Sequence, residues 1–135
     1  MPAYLWNEVL VAHLRPEEFE EAVAEAVDNV PPEFARAIQN VDVVVRERPS
    51  PADLEQVGVP SGGTILGLYH GVPLTERGAG YQLILPDKIS IYREPIEMIC
   101  ERTGIPVPEM VRRVVLHEVA HYFGISDAKL RKLGY

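Results

Sequence analysis

Apolar residues recur at intervals of three and four along much of the chain, which is the spacing of amphipathic helices. One such helix is expected to begin at Pro16, because proline and the acidic residues after it suit a first helical turn. The consecutive prolines at 31–32 then stop it. The pattern predicts further helical segments over 32–39, 51–56, 94–102, about 106–123 and 127–133.

Other stretches have the valine-rich or alternating composition of β-strands. The predicted strands cover 41–46, 64–69, 81–85 and 88–92. The last two are separated only by Pro86-Asp87, which is a tight connection typical of a hairpin. Strands interspersed with helices predict an α+β fold, with a small mixed β-sheet packed on helices and a largely apolar, buried helix near the carboxyl end.

The chain of 135 residues is long enough for one domain with a substantial core. We expect residues 1–15 to form an N-terminal extension that is helical over 3–14, either packed on the body or free to dock a partner. Residues 16–135 are expected to form a single domain.

The helix near the carboxyl end contains His117-Glu118-Val119-Ala120-His121, followed by Gly124 and Asp127, which is the pattern H-E-x-x-H-x-x-G-x-x-D. Residues four apart lie on one face of a helix, so the two imidazoles can bind a single metal ion. Glu118 is turned about 100° from His117 and about 60° from His121 at 3.6 residues per turn. It therefore borders the metal where a base acting on water would lie.

A catalytic zinc site with one open position needs a third protein ligand. Fourteen residues follow His121, and Asp127 has the only carboxylate or imidazole side chain among them. Gly124 can adopt a positive φ, end the helix and return the chain toward the metal. The alternative is that Asp127 only contributes a favourable negative charge to the first turn of a last helix that Ser126 caps.

These residues make the chain similar to the minimal zincin-like metallopeptidases, a family of short bacterial proteins. The resemblance rests on HEVAHYFGISD and on three preceding segments, NVDVVVRERPSP at 40–51, LGLYHGVPL at 66–74 and LPDKISIYREPI at 85–96. It implies a zincin-like fold, zinc ligands at His117, His121 and Asp127, and Glu118 as the general base.

Metzincins have a similar extended motif, but their third ligand is usually histidine and a methionine turn follows it. Here all three methionines precede the motif.

The expected activity is zinc-dependent hydrolysis of a peptide or protein substrate, in which Zn²⁺ activates a water molecule and Glu118 accepts its proton. The first alternative is a module that binds zinc and peptide without catalysis. The retained Glu118 and the count of three ligands disfavour it, because structural zinc is usually closed by four ligands. A metal-dependent ribonuclease is a second alternative, since one bacterial ribonuclease family has a similar histidine spacing.

The formal net charge is −7, from 13 basic and 20 acidic residues, and no block of Lys or Arg offers a surface for phosphates. Nucleic acid is therefore not an expected partner.

The one cysteine, Cys100, cannot form an intrachain disulfide and is expected to be an apolar, buried residue. No signal sequence or membrane span is apparent, so we expect a cytoplasmic protein without a membrane anchor. The oligomeric state is not predicted.

Several further residues could assist catalysis. Tyr69, His70, Tyr92 and Arg93 can each stabilise an oxyanion chemically, although structural roles are more common for such residues. In zincins an extended substrate pairs with an edge strand above the active-site helix. We expect that edge to be one of the strands 81–85 and 88–92.

Overall fold

The computed structural model describes residues 14–71 and 87–132, apart from the side chains at positions 33, 37, 127 and 130. The elements follow in chain order: helix α1 (Pro16–Asp28), helix α2 (Pro32–Ala35), a 3-10 helix (Ala37–Asn40), strand β1 (Asp42–Arg46), helix α3 (Pro51–Val57), strand β2 (Gly67–His70), strand β3 (Lys88–Tyr92), helix α4 (Arg93–Thr103), helix α5 (Val107–Tyr122) and helix α6 (Asp127–Lys132).

The three strands form one mixed sheet in the order β1-β3-β2. β1 runs parallel to β3, with Asp42 beside Lys88 and Arg46 beside Tyr92. β2 runs antiparallel to β3, with Gly67 opposite Ile91. The expectation that strand 88–92 could be a substrate-binding edge is therefore wrong. β3 is the central strand, and both sides of its backbone are already paired.

The core lies between the sheet and the two longest described helices, α1 and α5. Alternate residues of β3, Ile89 and Ile91, are fully buried on the side of the sheet that α5 covers, as are Val111 and Val115 of α5. Phe19 of α1 is also fully buried in this cluster. Burying apolar side chains of this size stabilises the fold by about 1.5–3 kcal/mol each. The helix that carries the histidine motif is thus anchored on two sides.

Local sequence signals determine where the helices begin and end. The Ser50 hydroxyl accepts a hydrogen bond from the Asp53 amide at 3.1 Å, and the Asp53 carboxylate accepts one from the Ser50 amide, which forms a capping box for α3. Gly104 ends α4 in the left-handed conformation, with φ of 77°. A residue with a Cβ would adopt this conformation only with strain.

The sequence predicted these elements well. The α+β class, the small mixed sheet and the buried motif helix are confirmed. The predicted short helix over 32–39 is divided into α2 and the 3-10 helix, and β2 begins three residues later than expected. The predicted helix over 3–14, apart from its last residue, and the predicted strand 81–85 lie outside the described residues. The division into an extension over 1–15 and a domain over 16–135 stays a prediction. Among the described helices, none has the length and hydropathy that a membrane span requires.

Candidate metal centre

Helix α5 places His117 and His121 on the same face, one turn apart. Their ring centroids are 4.6 Å apart and the ring planes are inclined by 59°. Both residues are half-buried, whereas Val115 and Val119 on another face of the helix are buried in the core. The imidazoles are therefore held by a rigid, packed helix and remain accessible from one side.

Glu118 lies between these two faces and is buried, with 6% of its surface exposed. Its Oε2 atom is 3.7 Å from Nδ1 of His121, which is close for an ion pair but beyond hydrogen-bonding distance. A buried carboxylate is costly unless polar or charged groups surround it. Two imidazoles and a cation next to them would provide that environment.

The ligand atoms of His117, Glu118 and His121 all lie within 4.8 Å of one another, and together they form a group that could hold a metal ion. A zinc ion that is bound by two imidazoles at about 2.0–2.1 Å in tetrahedral geometry requires their nitrogens to be about 3.4 Å apart. Imidazole and carboxylate donors also suit zinc. The spacing and chemistry of these residues therefore fit a divalent ion such as zinc.

The end of α5 follows the predicted geometry. Gly124 has φ of 76°, and the Ile125 amide donates to the Ala120 carbonyl at 2.9 Å, which are the features of a Schellman cap. The Lys129 amide donates to the Ser126 hydroxyl at 3.2 Å, so Ser126 caps α6 as expected. Asp127 is the first residue of α6, but its side chain lies outside the described part of the structure. Its role as a metal ligand stays a prediction.

A cleft of about 430 Å³ opens in front of this group. One wall is α5, with Met110, Val114 and the three residues of the motif. The opposite wall is the segment 65–68, which contains the start of β2, together with Val57 of α3. The cleft is within the size range of small-ligand sites, and most of its lining is apolar.

Gly67 allows β2 to approach α5 closely. A Cβ atom at this position would lie 2.8 Å from Cγ1 of Val114 and 3.2 Å from Cγ of Glu118. It would also lie 3.2 Å from the backbone oxygen of Ser90. The sequence does not indicate a functional role for Gly67, because a close approach between a strand and a distant helix has no local signature.

We expect Gly67→Ala to displace α5 and to disturb the site. The added methyl group overlaps Val114 and presses on the Glu118 side chain, so the free energy of unfolding should fall by about 1–3 kcal/mol and metal affinity should also fall. Urea denaturation and zinc titration measure the two effects. Gly58→Ala is the matched control: its Cβ would meet nothing within 4 Å, and φ of 75° confines its cost to backbone strain. Equal effects on metal affinity in both variants would contradict the steric account.

His70 lies on the face of the sheet opposite to α5. Gly67 and Tyr69 face α5, so the alternation along β2 directs Leu68 and His70 away from it. Nε2 of His70 is 3.0 Å from the Ser90 hydroxyl. Burial lowers the pKa of His70, and the nearby Lys88 ammonium lowers it further. His70 is thus part of a polar cluster behind the sheet, and the structural role that the sequence favoured is supported.

The other candidates for oxyanion stabilisation also have partners away from the cleft. Tyr92 is fully buried and donates a hydrogen bond to Asp53 at 2.8 Å. Burial and this hydrogen bond raise the pKa of Tyr92 well above its usual range. Arg93 forms ion pairs with Glu47 at 2.7 Å and Glu97 at 3.2 Å. None of them is among the described residues that line the cleft.

Tyr69 and Cys100 support the fold, whereas Arg113 borders the cleft. Tyr69 packs edge-on against Tyr122 of α5, with ring centroids 5.6 Å apart, so it supports the helix. Cys100 is buried, as expected, and burial raises the pKa of its thiol to about 11, which disfavours the nucleophilic thiolate. Arg113 was not a sequence candidate, but it lines the cleft beside His117 and pairs with Glu109 at 2.8 Å.

Comparison with known proteins agrees with this geometry. The model of the zincin-like metallopeptidase family matches residues 38–135, so the chain belongs to this family. Among solved structures, it is similar to a conserved hypothetical protein from Thermus thermophilus, with 26% identity and a TM-score of 0.56. That likeness covers 82% of this chain and 94% of the other. No curated protein matches the chain significantly. The protein is therefore a zincin-like protein with a candidate His-Glu-His metal site.

Proposed function

We propose that this protein is a zinc-dependent metallopeptidase. The observation that carries the proposal is the placement of His117, Glu118 and His121 in one wall of a cleft, opposite a strand of the sheet. His117, His121 and Asp127 would hold the zinc ion, and Glu118 would act as the general base. Bound zinc supplies a Lewis acid that makes water more acidic and polarises a carbonyl group.

Glu118 suits the role of proton acceptor because its carboxylate is near both imidazoles and lies at the cleft. It would accept a proton from the attacking water and deliver it to the leaving amine. Its burial keeps bulk water away and strengthens its electrostatic interaction with a nearby cation. The same helix holds all three side chains, so little reorganisation would be needed when a substrate binds.

The backbone of β2 supports the binding of an extended peptide. The Leu66 carbonyl accepts a hydrogen bond from the Tyr92 amide at 3.0 Å and therefore points toward β3. Neighbouring residues of a strand direct their peptide groups to opposite sides, so the groups of Gly67 point away from β3, toward the side that has no partner strand among the described residues. An extended substrate could add to the sheet as a further strand along this edge of β2, and it would then lie beside the motif helix α5. β2 therefore replaces strand 88–92 as the candidate for pairing with a substrate, whereas the other candidate, 81–85, lies outside the described residues.

A zinc- and peptide-binding module without catalysis is the second candidate. One observation favours it: the Glu118 carboxylate is close enough to both imidazoles to belong to the same possible metal group. If Glu118 bound the ion directly together with Asp127, the site would have four protein ligands, as structural zinc sites do. The ribonuclease alternative has no structural observation in its favour, and the net charge of −7 opposes it.

Chelation of the metal tests the proposed activity. Zinc-loaded protein is expected to cleave members of a diverse peptide library, with products identified by mass spectrometry. A strong zinc chelator should reduce the cleavage rate at least about 100-fold, because both water activation and carbonyl polarisation depend on the ion, and added zinc should restore it. RNA is incubated in parallel. Absence of peptide cleavage by fully loaded protein would contradict the proposal, and chelator-sensitive RNA cleavage would favour the ribonuclease.

A further inference from the structure

Within residues 14–71 and 87–132, strand β1 has an open edge on the side of the sheet farthest from β2. Among the described strands β1 pairs only with β3. A groove of about 670 Å³ runs along this edge, between β1 and the exposed side of α1. The edge has the sequence Asp42-Val43-Val44-Val45-Arg46, in which three half-buried valines lie between two exposed, opposite charges.

The hydrogen bonds of β1 show which peptide groups face the open side. The Asp42 amide donates to the Asp87 carbonyl at 3.1 Å, so the groups of Asp42 point toward β3. Because peptide groups alternate along a strand, those of Val44 also point toward β3. The N–H and C=O groups of Val43 and Val45 point outward. The open edge therefore presents two donors and two acceptors in a regular row.

We infer that β1 pairs with β1 of a second copy of this chain, in antiparallel orientation about a two-fold axis at Val44. In this register Val43 lies opposite Val45 of the second copy, and Asp42 lies opposite Arg46. Residues that exchange both backbone hydrogen bonds in an antiparallel pair are directly opposite each other. This register places Val43 of one copy opposite Val45 of the other, and these are the residues whose peptide groups point outward. The two outward N–H groups and two outward C=O groups of each copy therefore all form hydrogen bonds.

The side chains are complementary in the same register. Opposite charges lie directly across from each other at both ends, and each such pair contributes favourably to strand association. A two-fold axis requires a surface that is complementary to itself, and an acidic residue and a basic residue equidistant from Val44 meet this requirement.

Other registers give the outward-pointing N–H and C=O groups of β1 fewer hydrogen bonds. A shift by two residues places each charge opposite a valine or beyond the end of the strand. A shift by one residue pairs outward peptide groups with groups that already face β3. The central part of β1 also has none of the features that usually prevent edge pairing, such as proline, lysine or a bulge. Val43 and Val45 pack against the core, so the joined sheets would share a continuous apolar face.

Charge exchange at the ends of β1 tests this interface. Sedimentation equilibrium of the full chain should show a monomer–dimer equilibrium. Asp42→Arg alone and Arg46→Asp alone should each weaken the dimer by about 10- to 100-fold, because like charges then face each other at both ends. The double variant should restore it. A mixture of the two single variants should form a heterodimer, since one copy then has two arginines and the other two aspartates.

A second pair of variants tests the backbone hydrogen bonds. Val43→Pro removes one outward amide per copy, which an edge strand tolerates because that amide does not bond to β3. Val43→Ala removes both γ-methyl groups of the side chain but keeps the amide. The proline variant should dissociate far more readily than the alanine variant. Thermal unfolding verifies that all variants fold, since Asp42 also lies beside Lys88.

Two results would overturn the inference. A wild-type chain that is monomeric at every accessible concentration excludes self-pairing of this edge. A dimer that neither the charge variants nor Val43→Pro weakens must form through another surface. Peptide hydrolysis and metal binding are not involved in either measurement, so the proposed function and this interface can fail independently.

Discussion

Glu118→Gln is expected to reduce the rate of peptide hydrolysis by about 10²- to 10⁴-fold, which is the usual contribution of a general base. Glutamine has nearly the same shape but cannot accept the proton of the attacking water. The half-buried imidazoles of His117 and His121 are unchanged, so the variant should keep a full complement of zinc. Initial rates on one cleaved peptide, measured beside zinc content, test both expectations.

Glu21→Gln is the matched control, because Glu21 is exposed on α1 and distant in sequence from the motif. It should leave both rate and zinc content unchanged. If Glu118→Gln retained zinc and wild-type activity, Glu118 could not be the base. If it lost zinc instead, Glu118 would be a ligand, and the binding module would become the better account of the site.

Replacing either motif histidine by alanine should produce the largest loss of metal. Removing a group that only supports a ligand costs about 10- to 100-fold in metal affinity. Loss of the ligand itself should cost at least about 100-fold, and peptide hydrolysis should disappear with the metal. Metal content of purified His117→Ala and His121→Ala, followed by zinc titration, measures this effect. His70→Ala is the matched control, because His70 lies on the opposite face of the sheet.

Asp127 is tested in the same series. If it is the third ligand, Asp127→Ala and Asp127→Asn should both lose zinc affinity by an amount comparable with the histidine variants. If its carboxylate only stabilises the start of α6, Asp127→Asn should keep full zinc stoichiometry and change stability by less than about 1 kcal/mol. Full stoichiometry in both Asp127 variants would remove this residue from the ligand set.

The parts of the site that were predictable from the sequence depend on short separations along the chain. His117 and His121 lie on one face because residues four apart always do so on a helix. Gly124 ends that helix because a left-handed residue is needed there, and Ser126 caps the next one by bonding an amide three residues ahead. Each of these features involves at most about five consecutive residues, so a local pattern is sufficient.

The order of strands was not predictable in this way. The sequence predicts strand 88–92 with its correct bounds, yet its central place between β1 and β2 comes from pairing with residues 18 to 24 and 46 positions earlier. Its alternation of apolar and polar residues suggested one exposed face. In the structure Ser90 and Tyr92 are buried as well, because His70 and Asp53 provide hydrogen-bond partners for that face.

The candidate chemistry of this protein is predictable from its residues alone: two imidazoles and a carboxylate on one buried helix, within an α+β domain. The residues that face this group depend instead on the three-dimensional fold. It placed β2 across the cleft, because Gly67 lets the strand come close to Glu118. It directed His70 away from the cleft and left the valine edge of β1 without a partner strand in the described part of the chain. Helix faces follow from local geometry, whereas sheet order and cleft walls follow from packing between distant segments, which no local pattern encodes.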